Sequence, residues 1–246
     1  MSLYTTEAVI IGIKNQGEAD KAVTLLSPDR GRIRATAFGC RRIKSPMAGA
    51  LQLFNQVEVQ ISEGERWDTI RQCSLQHAFR NLSEDFQSMA YGSFVAELAS
   101  NLSIENFPQV EMYNRLLEIF GAFGSRNPRI AALAAGYQLL EFSGMQLSYE
   151  HCICCNDELA GDGFFSFELG GVVCQNCQGK VQERLWDYPE ALREFIVQLL
   201  QLSWQERPAC KVNGKTLMAA EGLLLGYLRH IIDKPLQSLN FIQQLG

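Results

Sequence analysis

The sequence predicts an α+β protein with two domains, a small β-barrel at residues 1–80 and a helical domain at residues 81–246. Three observations lead to this prediction. Short β-branched segments separated by turn residues fill the first eighty residues, whereas beyond residue 82 apolar residues recur at steps of three and four. Two Cys-x-x-Cys pairs then interrupt the helical pattern at about residues 149–180.

Five strands are predicted in the N-terminal domain. Residues 15–17 and 27–31 supply turn residues between the first three strands. The predicted strands cover residues 7–14, 21–26, 32–38, 53–61 and 69–75. Five short strands in so few residues indicate a small closed or partly open barrel. The five-stranded oligonucleotide-binding (OB) fold is one example, although periodicity alone does not separate it from other small barrels.

Five helices are predicted after residue 82. Ser83 is a candidate N-cap for the first helix. The next three begin at Pro108, Pro128 and Pro189, because proline is tolerated in the first turn of a helix. The last helix contains residues 217–232 and is followed by a proline that cannot continue it.

Four cysteines form the pattern C-x2-C-x18-C-x2-C, which is typical of a four-thiolate zinc site. They are Cys152, Cys155, Cys174 and Cys177. Two thiolates on each tight turn can face one ion, and four fill its coordination sphere, so we expect a structural zinc ion rather than a reaction centre. Cys154 and His151 are alternative ligands, although Cys154 would leave only one residue between two ligands.

Charge is distributed unevenly along the chain. The net charge is −5, but residues 1–80 hold 11 basic against 8 acidic residues, and residues 81–246 hold 11 against 19. This asymmetry predicts that the N-terminal domain binds an anion. No run of eighteen apolar residues and no signal peptide are recognised, so we expect a reducing, cytoplasmic setting without membrane insertion.

Six basic residues lie within fifteen positions of the barrel domain, and no acidic residue occurs between Asp29 and Glu58. The six are Arg30, Arg32, Arg34, Arg41, Arg42 and Lys44. Such a cationic strip can follow a phosphate backbone. The alternative is a solvated strand face whose arginines pair with carboxylates of the helical domain. Phe38 and Phe54 are the nearest aromatic residues for base stacking, and either could instead belong to the core.

No enzyme motif is recognised. P-loop, GxSxG and HExxH patterns are absent from the sequence, and its three histidines are isolated from one another. A catalytic histidine needs a convergent partner, so we predict a protein that is not an enzyme. Three hypotheses remain: a DNA-binding protein, a non-catalytic zinc-ribbon accessory protein that binds RNA or protein, and a metal-dependent hydrolase. The hydrolase would require an open coordination site on the metal.

Three segments resemble the bacterial DNA repair protein RecO family. They are residues 17–31 with 37–45, the cysteine quartet with the Gly-Gly-Val-Val that precedes its second pair, and residues 234–242. The resemblance implies an OB-fold barrel, a zinc-bearing helical domain, and a recombination mediator that binds single- and double-stranded DNA and anneals complementary strands. It also implies cooperation with RecR in loading RecA onto strands coated by single-strand binding protein, and a location at the nucleoid.

The resemblance also implies residue roles. The DNA-contacting candidates are Arg32, Arg34, Arg41, Arg42 and Lys44, and the four cysteines are the metal ligands. In the family, the helix before the zinc module often carries a basic residue that grips the acidic tail of single-strand binding protein. This chain has Ala134-Ala-Gly-Tyr137 there, so Arg126 and Arg129, one to two turns earlier, are the candidates for that contact.

Overall fold

The computed structural model describes residues 2–65, 67–206 and 211–243. Its N-terminal part contains five strands: β1 Leu3–Gln16, β2 Asp20–Ser27, β3 Gly31–Ala37, β4 Gln56–Ser62 and β5 Asp68–His77. They form a closed barrel in the order β1-β2-β3-β5-β4, with β3 and β5 parallel and the other neighbours antiparallel. The predicted five-stranded barrel of the OB type is confirmed.

Every second residue of a strand points into the barrel, and these inward-facing residues form its core. In β3, for example, Ile33 and Ala35 point into the core while Arg32 and Arg34 point outward, because successive side chains of a strand face opposite sides. The wall of the barrel therefore has its aliphatic residues inside and places the predicted basic residues on its outer surface.

One part of the strand prediction is wrong. The fourth strand begins at Gln56, and Phe54 instead lies in the preceding turn with φ 72°. Its ring is buried and meets the ring of Phe120 edge-on, with centroids 5.3 Å apart. Phe54 is therefore a core residue that packs against the following helices and is not available for stacking on a base.

The helices are α1 Arg80–Ser83, α2 Phe86–Leu102, α3 Val110–Ala122, α4 Pro128–Phe142, α5 Glu190–Leu200, α6 Gly214–Ile231 and α7 Ser238–Gln243. The prediction that Ser83 is the N-cap of the first helix is wrong, because Ser83 is the last residue of α1. The carboxylate of Asp85 caps α2 instead by accepting a hydrogen bond of 2.7 Å from the backbone N–H of Ser88. Within the described residues, no helix is long and apolar enough to cross a bilayer.

The chain forms two compact units, residues 1–132 with 236–246, and residues 133–235. In the first unit, the short helix α7 packs on α2, and the carboxylate of Glu97 accepts hydrogen bonds of 2.8 Å from the backbone N–H groups of Gln237 and Ser238. The first unit thus contains helices as well as the barrel. A domain boundary between residues 80 and 81 stays a prediction.

The second unit contains three short strands, β6 Gly163–Ser166, β7 Gly171–Val173 and β8 Trp186–Tyr188, in the order β7-β6-β8. In its helical part, the buried side chain of Gln138 in α4 forms hydrogen bonds with residues at and beyond the end of α5. The amide nitrogen donates to the carbonyls of Leu199 at 3.0 Å and Leu202 at 3.1 Å, and its oxygen accepts from the indole N–H of Trp204 at 2.7 Å. Gln138 thereby binds the carbonyl of Leu199 in the last turn of α5 and the carbonyl of Leu202 just beyond the helix.

Candidate nucleic-acid interface and metal centre

The four predicted cysteines come together in the second unit. The sulfur atoms of Cys152, Cys155, Cys174 and Cys177 all lie within 4.8 Å of one another. The sulfurs of Cys155 and Cys174 are 3.9 Å apart. A tetrahedron with zinc–sulfur bonds of about 2.3 Å has sulfur–sulfur edges of about 3.8 Å, so the cluster has the size of a zinc site.

Two tight turns carry the cysteine pairs. In the first turn, the backbone N–H of Asn156 donates to the carbonyl of Cys152 at 2.7 Å, and Asn156 takes the left-handed conformation with φ 62° that asparagine tolerates. In the second, the N–H of Cys177 donates to the carbonyl of Cys174 at 3.0 Å. The antiparallel pair β6–β7 leads directly into Cys174 and sets the second turn beside the first.

Backbone donors surround the buried sulfur of Cys152. Burial opposes ionisation of this thiol, but the N–H groups of Cys174, Cys154 and Cys155 point at it and bring its pKa down to about 6. The N–H of Cys174 is 3.3 Å from the sulfur. Because the thiolate is the form that binds a metal, these amides favour the state that a zinc site requires.

The alternative ligands lie outside the cluster. Cys154 and His151 are both exposed, and among the described residues only the four predicted cysteines converge closely enough to hold an ion. The donor set therefore consists of four sulfur atoms. Such a set fits zinc and leaves no coordination position for a substrate.

The second feature is an exposed basic loop, residues 38–49, which follows β3. Cys40 anchors it in the barrel core, and the backbone N–H of Arg41 donates to the carbonyl of Ala19 at 2.9 Å. Arg41, Arg42 and Lys44 are exposed, and none of them pairs with a carboxylate among the residues that the structure describes. Three cations are therefore presented to solvent on one loop.

The two strand arginines are in a different situation. Glu105, in the connection between α2 and α3, places its Oε1 atom 3.3 Å from Nε of Arg32 and 3.0 Å from Nε of Arg34. The side chain of Arg32 is only 18% exposed, and it also donates to the carbonyl of Ser100. Burial, together with the neighbouring charge of Arg34, lowers the pKa of Arg32. Arg34 keeps half of its side chain in solvent.

The basic strip therefore has two parts. The alternative considered for the strip, that its arginines pair with carboxylates of the helical domain, holds for Arg32 and Arg34, which both contact Glu105. Arg30 instead lies 2.9 Å from the carboxylate of Glu63, which belongs to the barrel domain. The alternative does not hold for the basic loop. Glu105 itself was not predicted as a site residue, since no local pattern marks a single acid that reaches a strand about seventy residues earlier.

Two exposed aromatic residues of the barrel domain flank β3 and β5 in sequence. Phe38 directly follows β3 and is 60% exposed, and Trp67, just before β5, is 54% exposed. Both rings are available to contact a base, whereas Phe54 is not.

Arg126 and Arg129 are the residues predicted to contact the acidic tail of single-strand binding protein. Both side chains are half-buried; Arg126 precedes α4 and Arg129 lies in its first turn. Residues 134–137 of α4 are buried, and a Cβ atom at Gly136 would come within 2.6 Å of Leu224. A basic side chain at position 136 would therefore collide with the buried side chain of Leu224.

An OB barrel with an exposed basic loop, joined to a helical part with a four-thiolate cluster, defines a nucleic-acid-binding protein with a site suited to a structural metal. Comparison with known proteins agrees with this class. Residues 1–79 match the family described as recombination protein O N terminal, and residues 83–240 match recombination protein O C terminal. The chain therefore belongs to the RecO family of DNA repair proteins.

Curated relatives match the chain over its whole length. The DNA repair protein RecO of Symbiobacterium thermophilum is 30% identical, with 100% of this chain and 98% of the relative aligned. The RecO protein of Dehalococcoides mccartyi is 32% identical, with 99% and 96% aligned, and that of Pelotomaculum thermopropionicum is 29% identical, with 100% and 96% aligned.

Proposed function

We propose that this protein is a recombination mediator without a catalytic site. It binds single- and double-stranded DNA, anneals complementary strands, and acts with RecR to load RecA onto strands coated by single-strand binding protein. The observation that carries the proposal is the group of three exposed cations, Arg41, Arg42 and Lys44, on the loop of an OB barrel.

Binding is directed mainly at the phosphate backbone. The loop offers charge rather than a set of amide or carboxylate groups that could distinguish bases, so sequence preference is small. Three phosphate contacts to single-stranded DNA contribute about −2 to the slope of log affinity against log salt concentration. Phe38 adds base stacking, which tolerates any sequence.

The strand arginines have different roles in this proposal. Arg34 borders the DNA path, because half of its side chain is in solvent. Arg32 was also predicted to contact DNA, but its burial, its ion pair with Glu105 and its hydrogen bond to the carbonyl of Ser100 favour a supporting role that fixes the position of its neighbours.

The four clustered cysteines bind a structural zinc ion in the proposed function. Cys152, Val173 and Cys177 form the buried centre of a small apolar cluster that would otherwise be held by few contacts. A zinc ion joins the two turns and supplies folding free energy to this module. It takes no part in a reaction, because the four sulfurs complete its coordination.

Two protein contacts complete the proposal. RecR is the partner in RecA loading, and the acidic tail of single-strand binding protein is bound near Arg126 and Arg129, whose guanidinium groups suit carboxylates. The resemblance to the RecO family supports both contacts, and in this proposal the protein acts with DNA at the nucleoid.

A strand-annealing assay tests the proposal. The wild-type protein should accelerate pairing of complementary oligonucleotides, and R41A/R42A/K44A should lose most of this acceleration. R80A/R184A, which removes two exposed charges elsewhere, should retain it. An accessory protein that binds RNA or protein would not accelerate DNA pairing at all, and such a result for the wild-type protein would refute the proposal.

A further inference from the structure

The basic loop exposes an aliphatic side chain at its centre. Ile43 lies between Arg42 and Lys44, and its relative exposure is 102%, which is the exposure of a residue with no neighbouring contact. Single exposed aliphatic residues are normal on a protein surface, so the informative feature is the charge that surrounds this one. Here the chain places one among three cations.

The local backbone fixes this exposure. The N–H of Ser45 donates to the carbonyl of Arg42 at 2.9 Å, so Ile43 and Lys44 occupy the two corner positions of a four-residue turn. The preceding turn is closed by a 3.2 Å bond from the N–H of Arg42 to the carbonyl of Gly39. β-Branched residues are rare at turn corners, where asparagine, glycine, proline and aspartate predominate.

We propose that Ile43 is a wedge that inserts between neighbouring bases of the bound DNA strand. The inference rests on the proposed function, since it requires the loop to hold DNA. The loop cations grip phosphates on either side, and the apolar tip enters the base stack. Isoleucine, leucine and phenylalanine act in this way in proteins that unstack and kink nucleic acid.

The positive charge around Ile43 indicates which kind of molecule receives its side chain. No acidic residue occurs between Asp29 and Glu58, so the isoleucine is surrounded only by positive charge within its own segment. A protein pocket that received Ile43 would need several carboxylates around its rim to match Arg41, Arg42 and Lys44. A nucleic-acid strand supplies both requirements at every nucleotide, a phosphate for the cation and an apolar base face for the side chain.

With this wedge, the basic loop changes the conformation of the bound DNA strand in addition to binding it. A strand whose bases are partly unstacked loses internal structure and exposes its pairing edges, which suits a protein that brings complementary strands together. The apolar tip therefore acts on the conformation of the strand, whereas the flanking cations determine how tightly the strand is held.

Fluorescence of 2-aminopurine tests the inference, because stacking quenches this base and unstacking restores its emission. The full-length protein is titrated with a single-stranded oligonucleotide that carries one 2-aminopurine. We expect the wild-type protein to raise the emission, I43L to retain the rise, and I43S to lose it. Anisotropy of the same oligonucleotide should show that I43S keeps its affinity within about threefold and keeps its salt slope, since every cation that meets a phosphate is still present.

M218S is the control, because Met218 in α6 is 67% exposed and apolar but lies far along the chain from the loop. It should raise the emission as the wild-type protein does. A rise that persists in I43S, or a wild-type protein that binds the oligonucleotide without raising the emission, overturns the wedge. If instead the wild-type protein fails to bind the oligonucleotide, the proposed function fails with it, and the anisotropy measurement separates the two outcomes.

Discussion

We predict that Glu105 couples the stability of the barrel to the strength of DNA binding, and the substitution E105Q tests this prediction. The carboxylate lies 3.3 Å from Arg32 and 3.0 Å from Arg34. Replacing it with a neutral amide of the same size removes both ion pairs and one negative charge from the surface that is proposed to bind DNA. We therefore predict a less stable protein that binds DNA more tightly.

The two effects have different magnitudes. Half-exposed ion pairs contribute about 0.2–1 kcal/mol each, and the low exposure of Arg32 raises the cost of leaving its charge without a partner, so we expect a loss of about 2 kcal/mol in the free energy of unfolding. That loss lowers the melting temperature by about 4–8 °C in a protein of this size. For a phosphate about 6 Å from the carboxylate in water, removing the repulsion is worth about 0.7 kcal/mol, or about threefold in affinity.

Thermal unfolding and fluorescence anisotropy with single-stranded DNA measure the two effects on the same sample. The control is E118Q, because Glu118 pairs with Arg115 within α3 at 3.1 Å and lies outside the predicted DNA-binding surface. An unchanged melting temperature for E105Q would show that the two ion pairs contribute nothing to stability in solution. Weaker DNA binding by a folded E105Q would show that Glu105 orients Arg34 toward DNA instead of competing for it, and would refute the reasoning.

Three further predictions concern the rest of the chain. C174S should abolish the proposed zinc binding and lower the melting temperature, whereas C154S should retain one zinc per chain, as measured by metal analysis of protein purified without chelator. G136R should prevent proper packing of α4, since even a Cβ atom has no room there, and circular dichroism should show a lower melting temperature. D85N should reduce the loss of stability in acid: the backbone N–H of Ser88 lowers the pKa of Asp85, so the carboxylate stabilises α2 above the ordinary aspartate pKa and ceases to do so as the pH falls through the lowered value.

Much of the fold could be predicted because it depends on local patterns. The alternation of Ile33 and Ala35 with arginines marks β3 and assigns its inner face, and the positions of Pro128 and Pro189 locate the starts of α4 and α5. The cysteine cluster could be predicted from spacing alone, since two Cys-x-x-Cys turns have few ways to complete a tetrahedron.

The features that sequence reasoning missed depend on interactions between distant residues. Phe54 has the residue type of a strand, but it lies in a turn with a positive φ angle and packs against Phe120, which is 66 residues later in the chain. The pairing of Glu105 with two arginines about seventy residues earlier leaves no periodic signal. The count of charges therefore identified the basic segment. It did not distinguish the arginines that pair with carboxylates from the exposed cations of the basic loop.

The central claim is that the exposed loop cations hold DNA through its phosphates. The most direct test is the affinity for single-stranded DNA at several salt concentrations, compared between the wild-type protein and R41A/R42A/K44A. We predict that the slope of log affinity against log salt becomes shallower by about 2, which is about 0.7 for each phosphate that the variant no longer neutralises. A triple variant that is folded and keeps both the wild-type affinity and the wild-type slope would contradict the claim.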